Sequence, residues 1–99
     1  MTSQHALARY VGRFFNHYLI IQRGLASNTL LAYRDTLKLF FCFAADDLHT
    51  AVDQLMIEDL NEERVLAFLT YLETKRGVTV RTRNARLAAL RTFFKFIAR

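Results

Sequence analysis

Residues 15–43 read FNHYLIIQRGLASNTLLAYRDTLKLFFCF, and residues 68–96 read FLTYLETKRGVTVRTRNARLAALRTFFKF. A shift of 53 positions aligns the two stretches, with eleven identities and one Leu/Val exchange over 29 positions. The pairs are Phe15/Phe68, Tyr18/Tyr71, Leu19/Leu72, Arg23/Arg76, Gly24/Gly77, Leu25/Val78, Thr29/Thr82, Ala32/Ala85, Leu37/Leu90, Phe40/Phe93, Phe41/Phe94 and Phe43/Phe96. Each copy has the pattern of a helix, an Arg-Gly stop, a short turn and a second helix. A repeat of this kind sets the architecture before any other feature. It predicts an all-α fold of four to five helices, arranged as two pseudo-repeated helical hairpins.

Outward from the repeat, the composition agrees. The chain has 99 residues, 53% of them apolar and nine of them Phe, enough for one modest core. There is no Pro and only three Gly, which favours long helices over sheets with many turns. Apolar runs are short and interrupted by charge, so no membrane-spanning segment is expected. The N-terminal stretch MTSQHALARYVGRFF carries Arg within its apolar pattern and lacks the unbroken core of a signal peptide. A single cysteine, Cys42, cannot form an intrachain disulfide, and a cytoplasmic location is expected.

The apolar spacing places four main helices. Leu7, Val11, Phe14, Phe15, Tyr18 and Leu19 form one stripe of a helix from about Gln4 to Gln22. Gly24 then supplies the left-handed residue common past a helix end. Ser27 is the expected N-cap of a second helix from Asn28 to about Ala44, with Leu30, Leu37, Phe40 and Phe41 inside. Residues 45–60 break the period and read as a connection that pins Leu48, Val52, Leu55, Met56 and Ile57 to the core through a short helical turn. A third helix begins near Asn61, where an Asp59/Glu62 capping box competes with Asn61 as the cap. Val65, Phe68, Leu69 and Leu72 face inward, and Gly77 ends the hairpin. Thr79 is the expected cap of a fourth helix from Val80 to Ala98, with Leu87, Leu90, Phe94 and Ile97 as its stripe.

Charge is segregated along the chain. The net charge of +5 divides into +4 over residues 1–45, −7 over 46–74 and +8 over 75–99. A basic segment without acidic residues is the footprint expected of a polyanion-binding face. A solvated helix face is the other reading of the same charges.

Catalytic and metal chemistry find little support. The histidines His5, His17 and His49 are scattered, with no His or Cys partner at ligand spacing, so no metal is expected. Cys42 reads as a small core residue. Tyr18 and Tyr71 sit on inward stripes, and Tyr33 reads as packing between the hairpins, so none is placed as a nucleophile. Gly12, Gly24 and Gly77 stand alone and form no phosphate loop. The carboxylates from Asp46 to Glu63 read as helix-start and solvated groups. No cofactor is expected.

Two motifs carry a family resemblance. RGLASNT at 23–29 followed by LLAYRDTLKLFF presents Arg23, Gly24, Ser27, Thr29, Tyr33 and Leu37. RG at 76–77 followed by TRNARLAALRTFFKF presents Thr82, Asn84, Leu87, Ala88, Ala89, Leu90, Arg91, Phe93 and Phe94. In that order and spacing, across residues 7–98, they resemble the N-terminal SAM-like core-binding domain of the tyrosine recombinases (the phage integrase family). Val80 departs from the Ser usual in that family's second turn, and Thr36 follows Asp35 where Leu is usual.

The resemblance implies that residues 1–99 form a single core-binding domain and that duplex DNA is its partner. The family's catalytic arginines, lysine, histidines and tyrosine lie in a following domain for which 99 residues leave no room. It further implies a parent recombinase of a mobile element, acting in DNA integration or recombination. Its other partners would be its own catalytic domain and further protomers in a DNA-bound tetramer.

The helix starts then become the candidate site. A helix N-terminus suits a phosphate. Ser27, Asn28 and Thr29 add small polar groups at the first start, and Thr79, Arg81 and Thr82 at the second. Ala32 and Ala85 leave room for a groove wall, and Arg81, Arg83 and Arg86 have the reach to contact bases or phosphates. Arg23 and Arg76 also fit a role at helix C-termini, and Arg91 one of pairing with an acid of the third helix. The competing function is a helical protein-interaction module that uses the acidic stretch 46–63 and binds no DNA.

Overall fold

The computed structural model describes residues 7–22 and 24–98. The expectations resting on Gln4, His5, Arg23 and Arg99 lie outside the described residues. Helix α1 (Leu7–Arg13) runs directly into a π-helical stretch (Phe14–Gln22). Helix α2 (Ser27–Leu48), two 3-10 turns (Val52–Gln54 and Ile57–Asp59), α3 (Glu62–Thr74) and α4 (Val80–Ile97) follow. The described residues contain no β-strand, and the fold is all-α.

The repeat extends into the backbone. Gly24 and Gly77 both take left-handed conformations, with φ of 59° and 62°. The N–H of Leu25 donates to the Leu19 carbonyl at 3.1 Å, and 53 residues later Val78 donates to Leu72 at the same distance. The next helix opens alike in both copies. Leu30 N–H donates to Ala26 O at 3.0 Å, and Arg83 N–H donates to Thr79 O at 2.9 Å. A glycine is favoured at the stop because a Cβ there would incur the left-handed steric cost.

The paired apolar positions build one core. Leu19 and Leu72, Leu37 and Leu90, and Phe40 and Phe93 are all buried. Phe14 meets Phe93 edge-on at 5.1 Å and Phe96 at 5.4 Å, while Phe40 meets Phe68 at 5.2 Å. Phe14, Phe40, Phe68 and Phe93 are fully buried, each removing a whole ring from water. Burial of such a side chain stabilises by about 1.5–3 kcal/mol.

Several local expectations are corrected. The second half of the first helix is π-helical, not α-helical. Its wider turn is consistent with full burial of Phe14 and Leu19, five residues apart, while Phe15 and Tyr18 stay half-buried. Ser27 is the first residue of α2; the cap position falls on Ala26, which has no side-chain acceptor to offer. Helix α2 continues past Ala44 to Leu48, closed by His49 at φ 56°. Cys42 is exposed on its outer face.

At α3, Asn61 wins the competition for the cap, its Oδ1 accepting from Arg64 N–H at 2.9 Å. Asp59 instead accepts from the Met56 N–H at 2.9 Å, closing the preceding turn. In the connection, Leu55 and Leu60 are buried, but Leu48, Val52 and Met56 are exposed. A single anchoring leucine per short 3-10 turn is enough to hold the segment against the core. In α4 the deepest residues are Ala89, Leu90 and Phe93, while Phe94 is only half-buried. This helix packs against both α2 and α3, so its buried face is wider than one stripe.

Candidate nucleic-acid interface

Helices α2 and α4 converge at their N-terminal halves on an open cleft of about 360 Å³. It is lined by Ala32, Tyr33, Asp35, Thr36 and, from the other helix, Arg81, Thr82, Ala85, Arg86 and Ala89. The two sides are copies of one register. Ala32, Tyr33 and Thr36 of α2 correspond, 53 residues on, to Ala85, Arg86 and Ala89 of α4. The spacing i, i+1, i+4 puts each trio on one helix face. Both walls are therefore narrow at the alanines.

The start of α4 reaches this cleft through Arg81 and Thr82, while the start of α2 lies one turn before its lining residues. Ser27 and Asn28 are exposed in the first turn of α2, with Thr29 half-buried. Because Ala26 forms no side-chain cap, the first N–H groups of α2 have no side-chain acceptor from that position. At α4, Thr79 Oγ1 accepts from the Thr82 N–H at 3.1 Å, and the two hydroxyl groups lie 3.2 Å apart. The second start thus has a side-chain cap bond that the first lacks at the equivalent position.

The three arginines of α4 have different surroundings. Arg81 is exposed at the cleft edge. Arg83 is turned to α3, where its Nη1 lies 3.6 Å from Glu73 Oε1 and its Nη2 donates to Asn84 Oδ1 at 2.9 Å. Arg86 lies half-buried on the cleft floor, with Nη1 donating to Thr36 Oγ1 at 3.2 Å. The Nε of both Arg83 and Arg86 is buried without a partner. Asp35 places a carboxylate on the cleft wall, opposite in sign to Arg81 and Arg86.

The structure therefore brings Ala32, Arg81, Thr82, Ala85 and Arg86 around one cleft, while Ser27, Asn28, Thr29 and Thr79 stand at the helix starts and do not line it. Arg83 is directed elsewhere. Sequence reasoning missed Thr36, Tyr33 and Ala89 as parts of this site. Carrying the Ala32/Ala85 register one helical turn further leads to the Thr36/Ala89 pair. Among the remaining basic residues, Arg76 is exposed just past α3, and the α3 acid that meets an α4 arginine is Glu73, paired with Arg83.

Among the described residues no group of three or more metal-binding side chains occurs, and no helix is long and apolar enough to cross a membrane. The described residues form an all-α domain with a doubled helix start. Residues 13–99 match the family described as phage integrase, N-terminal SAM-like domain, and the chain belongs to that family. A putative integrase/recombinase of Sinorhizobium fredii is 41% identical over 98 residues, covering 99% of this chain and 35% of that protein. The tyrosine recombinase XerC of Leptospira interrogans is 31% identical over 97 residues, covering 98% of this chain and 29% of that protein. The tyrosine recombinase XerD of Listeria innocua is 30% identical over 83 residues, covering 84% of this chain and 26% of that protein. The chain thus spans about a third of the length of the curated relatives it matches. No solved structure matches it.

Proposed function

We propose that this chain is the core-binding module of a site-specific tyrosine recombinase, in which residues 1–99 form one DNA-binding domain that clamps one half-site of duplex DNA. The observation that carries this is the cleft shared by the N-terminal halves of α2 and α4, lined by matched positions of the repeat. Ala32 and Ala85, equivalent positions of the two copies, both line this cleft, and the exposed Arg81 lines it too, one residue into α4. Successive stretches of a duplex present phosphates and groove walls at a repeat that two equivalent helix starts can meet together.

In this reading Ser27, Asn28, Thr29, Thr79 and Thr82 offer hydrogen-bonding groups to the sugar-phosphate backbone. Ala32 and Ala85 admit the groove wall, and Arg81 is the long-range contact. The basic segment 75–99, at +8, draws the polyanion in. Strand cleavage and rejoining belong to the catalytic domain of the parent recombinase. Other protomers would complete a DNA-bound tetramer, in the cytoplasm.

The test is fluorescence anisotropy of a labelled duplex titrated with the 99-residue chain across a salt series. Contacts to roughly four to six phosphates give a log–log slope of about −4 to −5. Chemical-shift changes on adding duplex are expected at 27–34 and 79–86. No binding at low salt and high micromolar protein overturns the proposal. Silence at those residues, with shifts at 46–63 on adding a basic protein partner, favours a protein-interaction module instead.

A further inference from the structure

Two helix starts can meet one duplex together only if their separation and angle are fixed. The ring contacts that join α2 to α4, Phe40–Phe94 at 6.3 Å and Phe41–Phe93 at 6.0 Å, lie farther along both helices, and at the cleft Ala32 and Ala85 are exposed while Ala89 is buried. Alanines interdigitate little, so they add little to the positioning of the N-terminal halves beyond what those rings supply. One side-chain hydrogen bond spans the gap, from Arg86 Nη1 to Thr36 Oγ1. Thr36 is 2% exposed, a polar side chain within the buried core. Its acceptor is used by a residue 50 positions away.

The repeat sharpens this. Exchanging the two copies turns the Arg86–Thr36 pair into Tyr33–Ala89, and all four residues line the same cleft. On the Tyr33 side the ring stacks over Phe14 at 6.4 Å and makes an apolar wedge. On the Arg86 side the pair is polar and directional. Arg86 also buries its Nε without a partner, and Asp35 stands on the wall nearby. A guanidinium drawn into a cleft that also holds a carboxylate is poorly placed to reach for phosphate. Its stem and Nε are committed to the protein.

Resting on the DNA-binding proposal, we infer that Arg86 is a positioning residue for DNA binding. Through Thr36 it fixes the spacing of the α2 and α4 starts; it is not one of the phosphate contacts.

The experiment measures duplex affinity and its salt slope for the 99-residue chain carrying Thr36→Val, Thr36→Ser, Arg86→Ala, Arg86→Lys, or Thr36→Val with Arg86→Ala. Each variant is assayed well below its own thermal midpoint. Thr36→Val keeps the arginine charge and removes only the acceptor. It is expected to weaken binding by about three- to tenfold, the scale of one lost hydrogen bond. The salt slope stays at the wild-type value, and Thr36→Ser restores affinity. The double variant is expected to be no weaker than Arg86→Ala alone, because both changes remove the same link.

A slope reduced by about one in Arg86→Ala, with Thr36→Val neutral, makes Arg86 a phosphate contact and overturns the inference. If Arg86→Ala does not fold, Arg86→Lys and Thr36→Val decide between the same two outcomes. Where the wild-type chain binds duplex and Thr36→Val matches it, the positioning role alone fails. Where the wild-type chain binds no duplex, the DNA-binding proposal fails and the inference falls with it.

Discussion

The amide of Val78 donates to the carbonyl of Leu72 at 3.1 Å, across the left-handed Gly77. The same bond joins Leu25 to Leu19 across Gly24. Both stops depend on positive φ and on nothing else at the glycine, since a Cβ at either site would meet no atom within 4 Å. Gly24→Ala and Gly77→Ala are therefore expected to destabilise through the backbone alone. The left-handed penalty of about 1–2 kcal/mol is partly offset by the lower entropy of the unfolded alanine chain. Urea unfolding is expected to show a loss of about 1 kcal/mol for each. Asn at the same positions is expected to cost less, because Asn tolerates this conformation.

Much of the fold was legible because the repeat, the glycine stops and the apolar spacing all report on the backbone. Gly24, Gly77, Thr79 and Asn61 lie within a few residues of what they control, so their effects follow local rules. What escaped was set by tertiary packing. The burial of Phe93 over Phe94 depends on α4 lying between α2 and α3. The π-helical winding at Phe14 lies outside a three-and-four reading of the same apolar residues. The candidate site was legible as two helix starts, but the sorting of its arginines was not. Arg81, Arg83 and Arg86 look alike along the sequence; Glu73 and Thr36, 10 and 50 positions from their partners, separate them.

The ring contact between Phe14 and Phe93 joins the first helix to the last, edge-on at 5.1 Å. Both residues are fully buried. Phe93→Ala is expected to cost about 3–5 kcal/mol, a large share of the stability of a domain this size. Phe14→Leu and Phe93→Leu should each cost less. In a double-mutant cycle their coupling is expected at about 0.5–1.5 kcal/mol, the worth of an aromatic pair beyond its area. Thermal or urea unfolding of the four proteins measures it.

Arg64 ties α3 to two earlier segments. Its Nη1 lies 2.6 Å from Asp47 Oδ2 at the end of α2, and its Nε donates to the Asp59 carbonyl at 2.9 Å. The Asp47 side chain is 56% exposed, so that ion pair contributes little after solvent screening. The part-buried bond to Asp59 is the larger share. Arg64→Met, which keeps the stem, is expected to lose about 1–2 kcal/mol in urea unfolding. Asp47→Asn is expected to lose less than about 1 kcal/mol.

The two helix caps predict opposite responses to equivalent substitutions. Thr79→Ala removes an acceptor that the Thr82 N–H uses, and is expected to cost about 1 kcal/mol. Ala26→Asp supplies α2 with the cap it lacks and adds a negative charge at the positive end of its dipole. Unfolding measurements are expected to show a gain of about 0.5–1 kcal/mol. If that helix start meets phosphate, the same charge repels it, and duplex binding weakens as stability rises. Ala26→Ser, which caps without charge, separates the two effects: it should raise stability and cost much less affinity. Equal affinities for the Asp and Ser variants would place the α2 start away from the DNA.

Arg81 is an exposed cation at the cleft edge, and among the described residues no hydrogen bond or ion pair holds it to the scaffold. Arg81→Ala is expected to leave the unfolding midpoint within about 0.5 kcal/mol of wild type, as for other exposed surface positions. If Arg81 contacts a phosphate, the log–log salt slope of duplex binding falls by about one, and affinity weakens for every sequence alike. If it reads a guanine edge instead, affinity falls by about 1–3 kcal/mol for the preferred sequence only. A panel of duplexes titrated at several salt concentrations distinguishes the two. An unchanged slope together with unchanged affinity would remove Arg81 from the interface, leaving the hydroxyl and amide groups of the helix starts as the remaining contacts.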